Sequence, residues 1–123
     1  MERFKATIDQ LGNIVAVRLV GELDANTAVA ADDALQEAIA STPGNAIVVD
    51  CSELQYISSA GLGVILSSLH ACNQNKIKIA FCGLQPKIKN VFTILGIEKI
   101  ILITQSEEEA LKLLNNGQDT SEI

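Results

Sequence analysis

One stretch constrains the fold more than any other: Val48-Val49-Asp50-Cys51-Ser52-Glu53-Leu54-Gln55-Tyr56-Ile57-Ser58-Ser59-Ala60-Gly61-Leu62-Gly63. An apolar run over residues 46–49 breaks off in small and polar residues, and apolar residues at helical spacing begin near Ser59 and continue towards Cys72. The pattern predicts a buried strand, a short loop and a helix whose first turn holds serine and glycine. A helix start leaves backbone N–H groups unpaired and carries the positive end of the macrodipole. Such a position accepts a phosphate, whether from a ligand or attached to a serine.

The rest of the chain arranges itself around that unit. Phe4, Ala6 and Ile8 alternate with Lys5, Thr7 and Asp9, which predicts a strand with one wet face. Gln10-Leu11-Gly12-Asn13 reads as a turn and residues 14–20 as a second strand, giving an antiparallel hairpin at the sheet edge. Gly21-Glu22-Leu23-Asp24 leads into a helix over residues 25–40, capped by Asp24 or Asn26, with Ala31, Leu35, Ala38 and Ile39 as its buried stripe. Ser41-Thr42-Pro43-Gly44-Asn45 ends that helix. After the central strand, Leu62, Ile65, Leu66, Leu69 and Cys72 share a helical face, which Asn73-Gln74-Asn75 closes.

Residues 77–82 form the next buried strand. Gln85-Pro86 opens a helix with Ile88, Val91, Phe92 and Leu95 on its apolar face and Gly96 as its stop. Residues 100–103 read as the last strand. Ser106 and Glu109 form a capping box for a final helix carrying Ala110, Leu113 and Leu114. Asn116-Gly117 ends it, so the domain spans residues 1–117 and residues 118–123 form a flexible tail. The order β-β-α-β-α-β-α-β-α with right-handed crossovers predicts an α/β fold: one mixed β-sheet with an antiparallel edge hairpin and about four flanking helices.

Composition removes several function classes. The 123 residues fit one domain, and a chain that is 48% hydrophobic but only 3% aromatic suits parallel strands buried on both faces. A net charge of −6 makes nucleic acid and anionic membrane surfaces poor partners. No apolar run approaches the ~20 residues that cross a bilayer, and Met1-Glu2-Arg3-Phe4 has no signal-peptide character, so a cytoplasmic protein is expected. Cys51, Cys72 and Cys82 are widely spaced, Cys-x-x-Cys is absent and His70 stands alone, which predicts reduced, partly buried thiols and no metal.

Enzymatic readings find little support. Gly61-Leu62-Gly63 lacks the third glycine of a dinucleotide fingerprint, no Gly-Lys-Ser/Thr follows it, and Gly-x-Ser-x-Gly is absent. A Mg²⁺ site at Asp24 and Asp50 would need a lysine late in the sheet, for which Lys99 is a poor stand-in. Lys87, Lys89 and Lys99 read as a solvated face. The expected protein is not an enzyme and carries no cofactor.

From the residues alone, Ser58 and Ser59 are candidate caps, and Glu22, Asp24, Asp50 and Ser52 are candidate turn formers. Gly61 and Gly63 serve either close packing against the neighbouring strand or clearance for an approaching partner.

Gly21-Glu22-Leu23-Asp24, Asp50-x-Ser52 and Ile57-Ser58-Ser59-Ala60-Gly61-Leu62-Gly63-Val64-Ile65-Leu66 together resemble the STAS domain, in particular the free-standing anti-sigma factor antagonists of bacteria. The likeness covers roughly residues 4–114. It implies the architecture derived above, and a regulatory phosphoprotein of transcription and signal transduction that works by partner switching. The unphosphorylated form would bind an anti-sigma factor that is also a serine-protein kinase and so release the sigma factor. Phosphorylation would block binding, and a PP2C-type phosphatase would reverse it. The family's acceptor serine stands two places before Gly-Leu-Gly, which here is Ser59. Ser58 replaces the aspartate of many members and is a rival acceptor, while Ala60 replaces their serine or threonine. The resemblance also implies a partner surface at Asp24, Asp50, Ser52, Ser58, Gly61, Leu62 and Gly63. The alternative is a STAS scaffold or regulatory subunit of a transport or signalling assembly, without phosphorylation.

Overall fold

Strands that are neighbours in sequence are neighbours in space. The computed structural model describes residues 4–42 and 46–120. In it β1 (Lys5–Leu11), β2 (Ile14–Leu23), β3 (Ala46–Ile57), β4 (Lys78–Cys82) and β5 (Leu102–Thr104) form one sheet in the order β1-β2-β3-β4-β5. β1 and β2 are antiparallel, from Lys5 opposite Val20 to Leu11 opposite Ile14, and every later pair is parallel. Four helices connect or follow the strands: α1 (Ala28–Ser41), α2 (Ser59–Gln74), α3 (Pro86–Ile94) and α4 (Glu107–Thr120). This is the expected element order, with the hairpin at the edge.

The period of two along each strand sorts the core into two layers. Val15, Val17 and Leu19 of β2, Ile47 and Val49 of β3 and Phe81 of β4 face one side, where α1, α2 and α3 cover them with Leu35, Ile65, Ile88 and Phe92. Phe81 and Phe92 meet edge to face with centroids 5.9 Å apart. The other side presents Ala16, Ala46, Val48 and Ala80, a low floor on which α4 lays Ala110 and Leu114. Each fully buried large aliphatic or aromatic side chain contributes about 1.5–3 kcal/mol.

Several boundaries differ from the sequence reading. β3 does not end at Val49: it runs on to Ile57, where a loop is expected. Its first part pairs with both neighbours, but β4 stops opposite Asp50, and from there β3 pairs with β2 alone. Two register shifts, between Arg18 and Val20 and between Gly21 and Glu22, mark bulges that hide the strand's alternation. α1 starts at Ala28 rather than at residue 25, because Asp24 draws the preceding residues into a turn of their own. A 3₁₀ turn, Ile97–Lys99, follows the left-handed Gly96 and delays β5 to Leu102. α4 continues past Asn116-Gly117 to Thr120, so the first residues assigned to the tail are helical, a single helical glycine costing only ~1 kcal/mol. The break at Pro43-Gly44-Asn45 and the chain beyond Thr120 lie outside the described residues.

Three leucines placed on buried faces are exposed instead: Leu66, Leu95 and Leu113. In α2 the buried stripe is Gly61, Ile65, Ser68 and Cys72. Two of these are too small or too polar to register in a hydrophobic count. Ser68 is accommodated because its hydroxyl donates to the Ile65 carbonyl at 2.7 Å.

Candidate functional site

β3 delivers the chain to the start of α2, and the two adjacent serines there are used differently. Ser58 is the N-cap: its backbone is extended and its Oγ accepts from the Gly61 N–H at 3.3 Å. Its own N–H donates to the Leu23 carbonyl at 2.9 Å, which ties the start of α2 to the end of β2. Ser59 is the first helical residue; its side chain is exposed and makes no hydrogen bond among the described residues. No acidic residue occupies the first turn of α2.

The β2–α1 turn stands beside this start because Ser58 is bonded to Leu23. Asp24 Oδ1 accepts from the N–H of Asn26 at 2.9 Å and of Thr27 at 3.2 Å. The Asp24 N–H donates to Thr27 Oγ1 at 2.9 Å, and that hydroxyl donates to the Glu22 carbonyl at 2.8 Å. Neither Asp24 nor Asn26, the two caps expected from sequence, caps α1; Thr27 holds that position without a side-chain capping bond. Asp24 instead closes an Asx turn that fixes the shape of the surface next to Ser59.

The two glycines of Gly61-Leu62-Gly63 separate cleanly. Gly61 is buried, and a Cβ on it would sit 2.7 Å from Leu23 Cγ and 2.8 Å from the Leu23 carbonyl oxygen, so it is glycine for packing. A Cβ on Gly63 would meet nothing within 4 Å. Gly63 therefore offers bare backbone on an open face, with half-buried Leu62 beside it.

Asp50 and Ser52 are not part of this cluster. Arg18 of β2 lies opposite Asp50, and the five residue steps from Arg18 to Leu23 span about 17 Å at ~3.3 Å each. Asp50 Oδ1 accepts from the Ser52 N–H at 3.0 Å, the expected Asx arrangement, set inside a strand rather than a loop. Its Oδ2 lies 3.5 Å from Arg18 Nη1. Ser52 lies against Gly83, where an added Cβ would be 2.9 Å from the Ser52 Cβ.

Arg18 is the residue that the sequence reading misses. It pairs with Asp9 of β1 at 3.2 Å, with Asp50 of β3 and with Glu107 of α4, joining three elements on the α4 side of the sheet. Partial burial opposes its charge, but the hydrogen bond to Glu107 and the charges of Glu107, Asp9 and Asp50 outweigh that and raise its pKa. The signal available was an arginine inside an otherwise apolar strand.

The remaining polar chemistry is sparse. Cys51, Cys72 and Cys82 are buried free thiols. Burial pushes Cys72 up to about 11; burial, then the charges of Asp50 and Glu107, push Cys82 up to about 12; and burial moves Cys51 higher still. They are neutral and unreactive at physiological pH. Among the described residues no group of three or more His, Cys, Asp or Glu is placed to hold a metal ion, and no helix is long and apolar enough to cross a membrane.

Comparison with known proteins places this geometry. The family model for the STAS domain matches residues 5–110. The chain is 35% identical over 98 residues to the anti-sigma F factor antagonist of Paenibacillus polymyxa, covering 80% of this chain and 84% of that one. It is 30% identical over 95 residues to the anti-sigma-B factor antagonist of Listeria monocytogenes, covering 77% and 82%. A solved structure of the Bacillus cell fate determinant SpoIIAA in its phosphorylated form superposes with a TM-score of 0.71 at 21% identity, covering 89% of this chain and 99% of that chain. The extent of the family match and the identity to these relatives establish that this chain belongs to the STAS domain family.

Proposed function

We propose that this chain is an anti-sigma factor antagonist acting by partner switching, with Ser59 as its phosphoacceptor. Unphosphorylated, it binds an anti-sigma factor that is also a serine-protein kinase, and the sigma factor is released. The kinase transfers the γ-phosphoryl group of ATP to Ser59 Oγ, ADP leaves, and the complex ends. A PP2C-type phosphatase hydrolyses the phosphoserine and restores binding. The chain is substrate and binding module, ATP is held by the kinase, and the exchange takes place in the cytoplasm.

The observation that carries this reading is the division of labour between neighbours: Ser58 Oγ is engaged in the cap, whereas Ser59 is exposed and unbonded among the described residues. The relatives named as anti-sigma factor antagonists support the partner class. A phosphate on Ser59 adds about −1.5 to −2 charge at the positive end of α2, so the antagonist keeps its fold. A partner seated on Asp24, Ser58, Leu62 and Gly63 meets that charge unpaired, at a cost of several kcal/mol or about a thousandfold in affinity. Gly61 supports this surface from beneath, and Asp50 and Ser52 hold the strand that presents it.

Incubation with a cognate serine kinase and ATP, followed by peptide mass spectrometry, tests the assignment. One phosphate on the Ser59 peptide is expected. Ser59→Ala binds the kinase and takes no label, whereas Ser59→Asp binds about a thousandfold more weakly. Equal affinity of wild type and Ser59→Asp overturns the switch, label on Ser58 moves the acceptor by one residue, and no label on either serine favours the scaffold reading.

A further inference from the structure

At the end of α2 remote from Ser59, a cavity of about 810 Å³ opens where β5 stops short. The β4–β5 ladder begins only at Ala80 and Leu102, so Lys78 and Ile79 of β4 have no β5 partner. The chain ahead of β5 is held away in the 3₁₀ turn Ile97–Lys99. The notch is bounded by the second half of α2 from Leu66 onward, by the Ile100–Leu102 segment and by Leu113 and Leu114 of α4.

Two properties mark it as more than a gap. Of the eight exposed large hydrophobic side chains among the described residues, four line this one cavity: Leu66, Ile100, Leu102 and Leu113. Its basic side chains are Lys78, Lys99 and His70, with no carboxylate among the lining residues, although the chain has 15 Asp+Glu against 9 Lys+Arg. Apolar walls, a few polar groups and a volume inside the ~300–1,000 Å³ range describe a small-molecule site. Its charge selects the sign of the ligand.

A second copy of this chain would bring lysines against lysines. A strand-adding peptide would find only Lys78 and Ile79 unpaired along β4, shorter than the ~3–10 residues that strands use. We propose that the notch binds a long-chain fatty acid, its acyl chain against Leu66, Leu102 and Leu113 and its carboxylate at Lys78 and Lys99. Leu66, the α2 lining residue nearest Ser59, stands seven residues from it in sequence, about 10 Å along the helix at ~1.5 Å per residue.

Isothermal titration of the full chain with palmitate below its micellisation concentration tests the assignment, with hexadecanol and octanoate as parallel titrants. Saturable one-to-one binding of palmitate is expected, with octanoate and hexadecanol each at least about tenfold weaker. Lys78 and Lys99 are exposed, so the Lys78→Glu/Lys99→Glu double variant folds; it is expected to lose about tenfold or more for palmitate and little for hexadecanol. Leu113→Glu provides a second route to the same loss from the apolar wall. No saturable palmitate binding, equal binding of hexadecanol, or unchanged affinity in both variants overturns the proposal. So does a concentration-dependent dimer, seen by sedimentation, that Leu113→Glu dissolves.

Discussion

Over residues 46–50, β3 is flanked by β2 and β4 and buried on both faces except at Asp50; over residues 51–57 it has β2 alone for a neighbour, carries two bulges and exposes Ser52, Glu53, Gln55 and Tyr56. One strand therefore does two jobs. The lower part holds the sheet together, and the upper part carries the chain to the exposed start of α2 at Ser59. On the proposed function, stability and recognition are separated along one continuous stretch of backbone, so substitutions in the two parts should differ in what they damage.

The largest effect belongs to the lower part. Ile47→Ala empties a fully buried position and should cost about 2–5 kcal/mol, read by urea denaturation, before any partner is added. Gly61→Ala comes next, because the new methyl collides with Leu23 and Ile57; a loss of about 1–3 kcal/mol is expected, together with weaker partner binding as the start of α2 shifts. Ser58→Ala removes the cap and should cost about 1 kcal/mol in thermal unfolding while leaving Ser59 open to the kinase. Gly63→Ala should do the opposite, raising stability by about 0.5–1 kcal/mol, because nothing surrounds the new methyl and alanine favours the helix. If Gly63→Ala destabilises the protein as much as Gly61→Ala, the distinction between packed and open glycines fails. If it stabilises the fold but weakens the partner complex, the distinction sharpens into a map of the contact.

The element order is legible from the sequence because each element has its own periodicity and each boundary its own breaker, as with Gln85-Pro86 before α3 and Gly96 after it. Ser106 caps α4 as expected, its Oγ accepting from the Glu109 N–H at 3.1 Å, although the Glu109 side chain reaches Gln105 N–H rather than completing a box on Ser106. What escapes the sequence is set by contacts made elsewhere in the chain. The upper part of β3 looks like a loop because its polar residues face solvent and its bulges break the alternation, yet β2 is there to pair with it. Leu66 reads as core until the approach of α2 to the sheet shows Gly61 and Ser68 on the buried side. Ser58 and Ser59 are equal candidates for the cap as letters, and only the backbone geometry assigns it to Ser58. Arg18 stays invisible because its three acidic partners lie in three different elements.

The sequential strand order also governs how the molecule is made. Each strand docks against the one synthesised just before it, so a chain emerging from the ribosome can extend its sheet one strand at a time without waiting for a distant partner. The exception is α4, the last of the described elements, which covers the alanine floor of Ala16, Ala46 and Ala80 with Ala110 and Leu114. Until α4 docks, a folding chain shows this apolar face of the sheet to its surroundings, and that is when it is most exposed to aggregation.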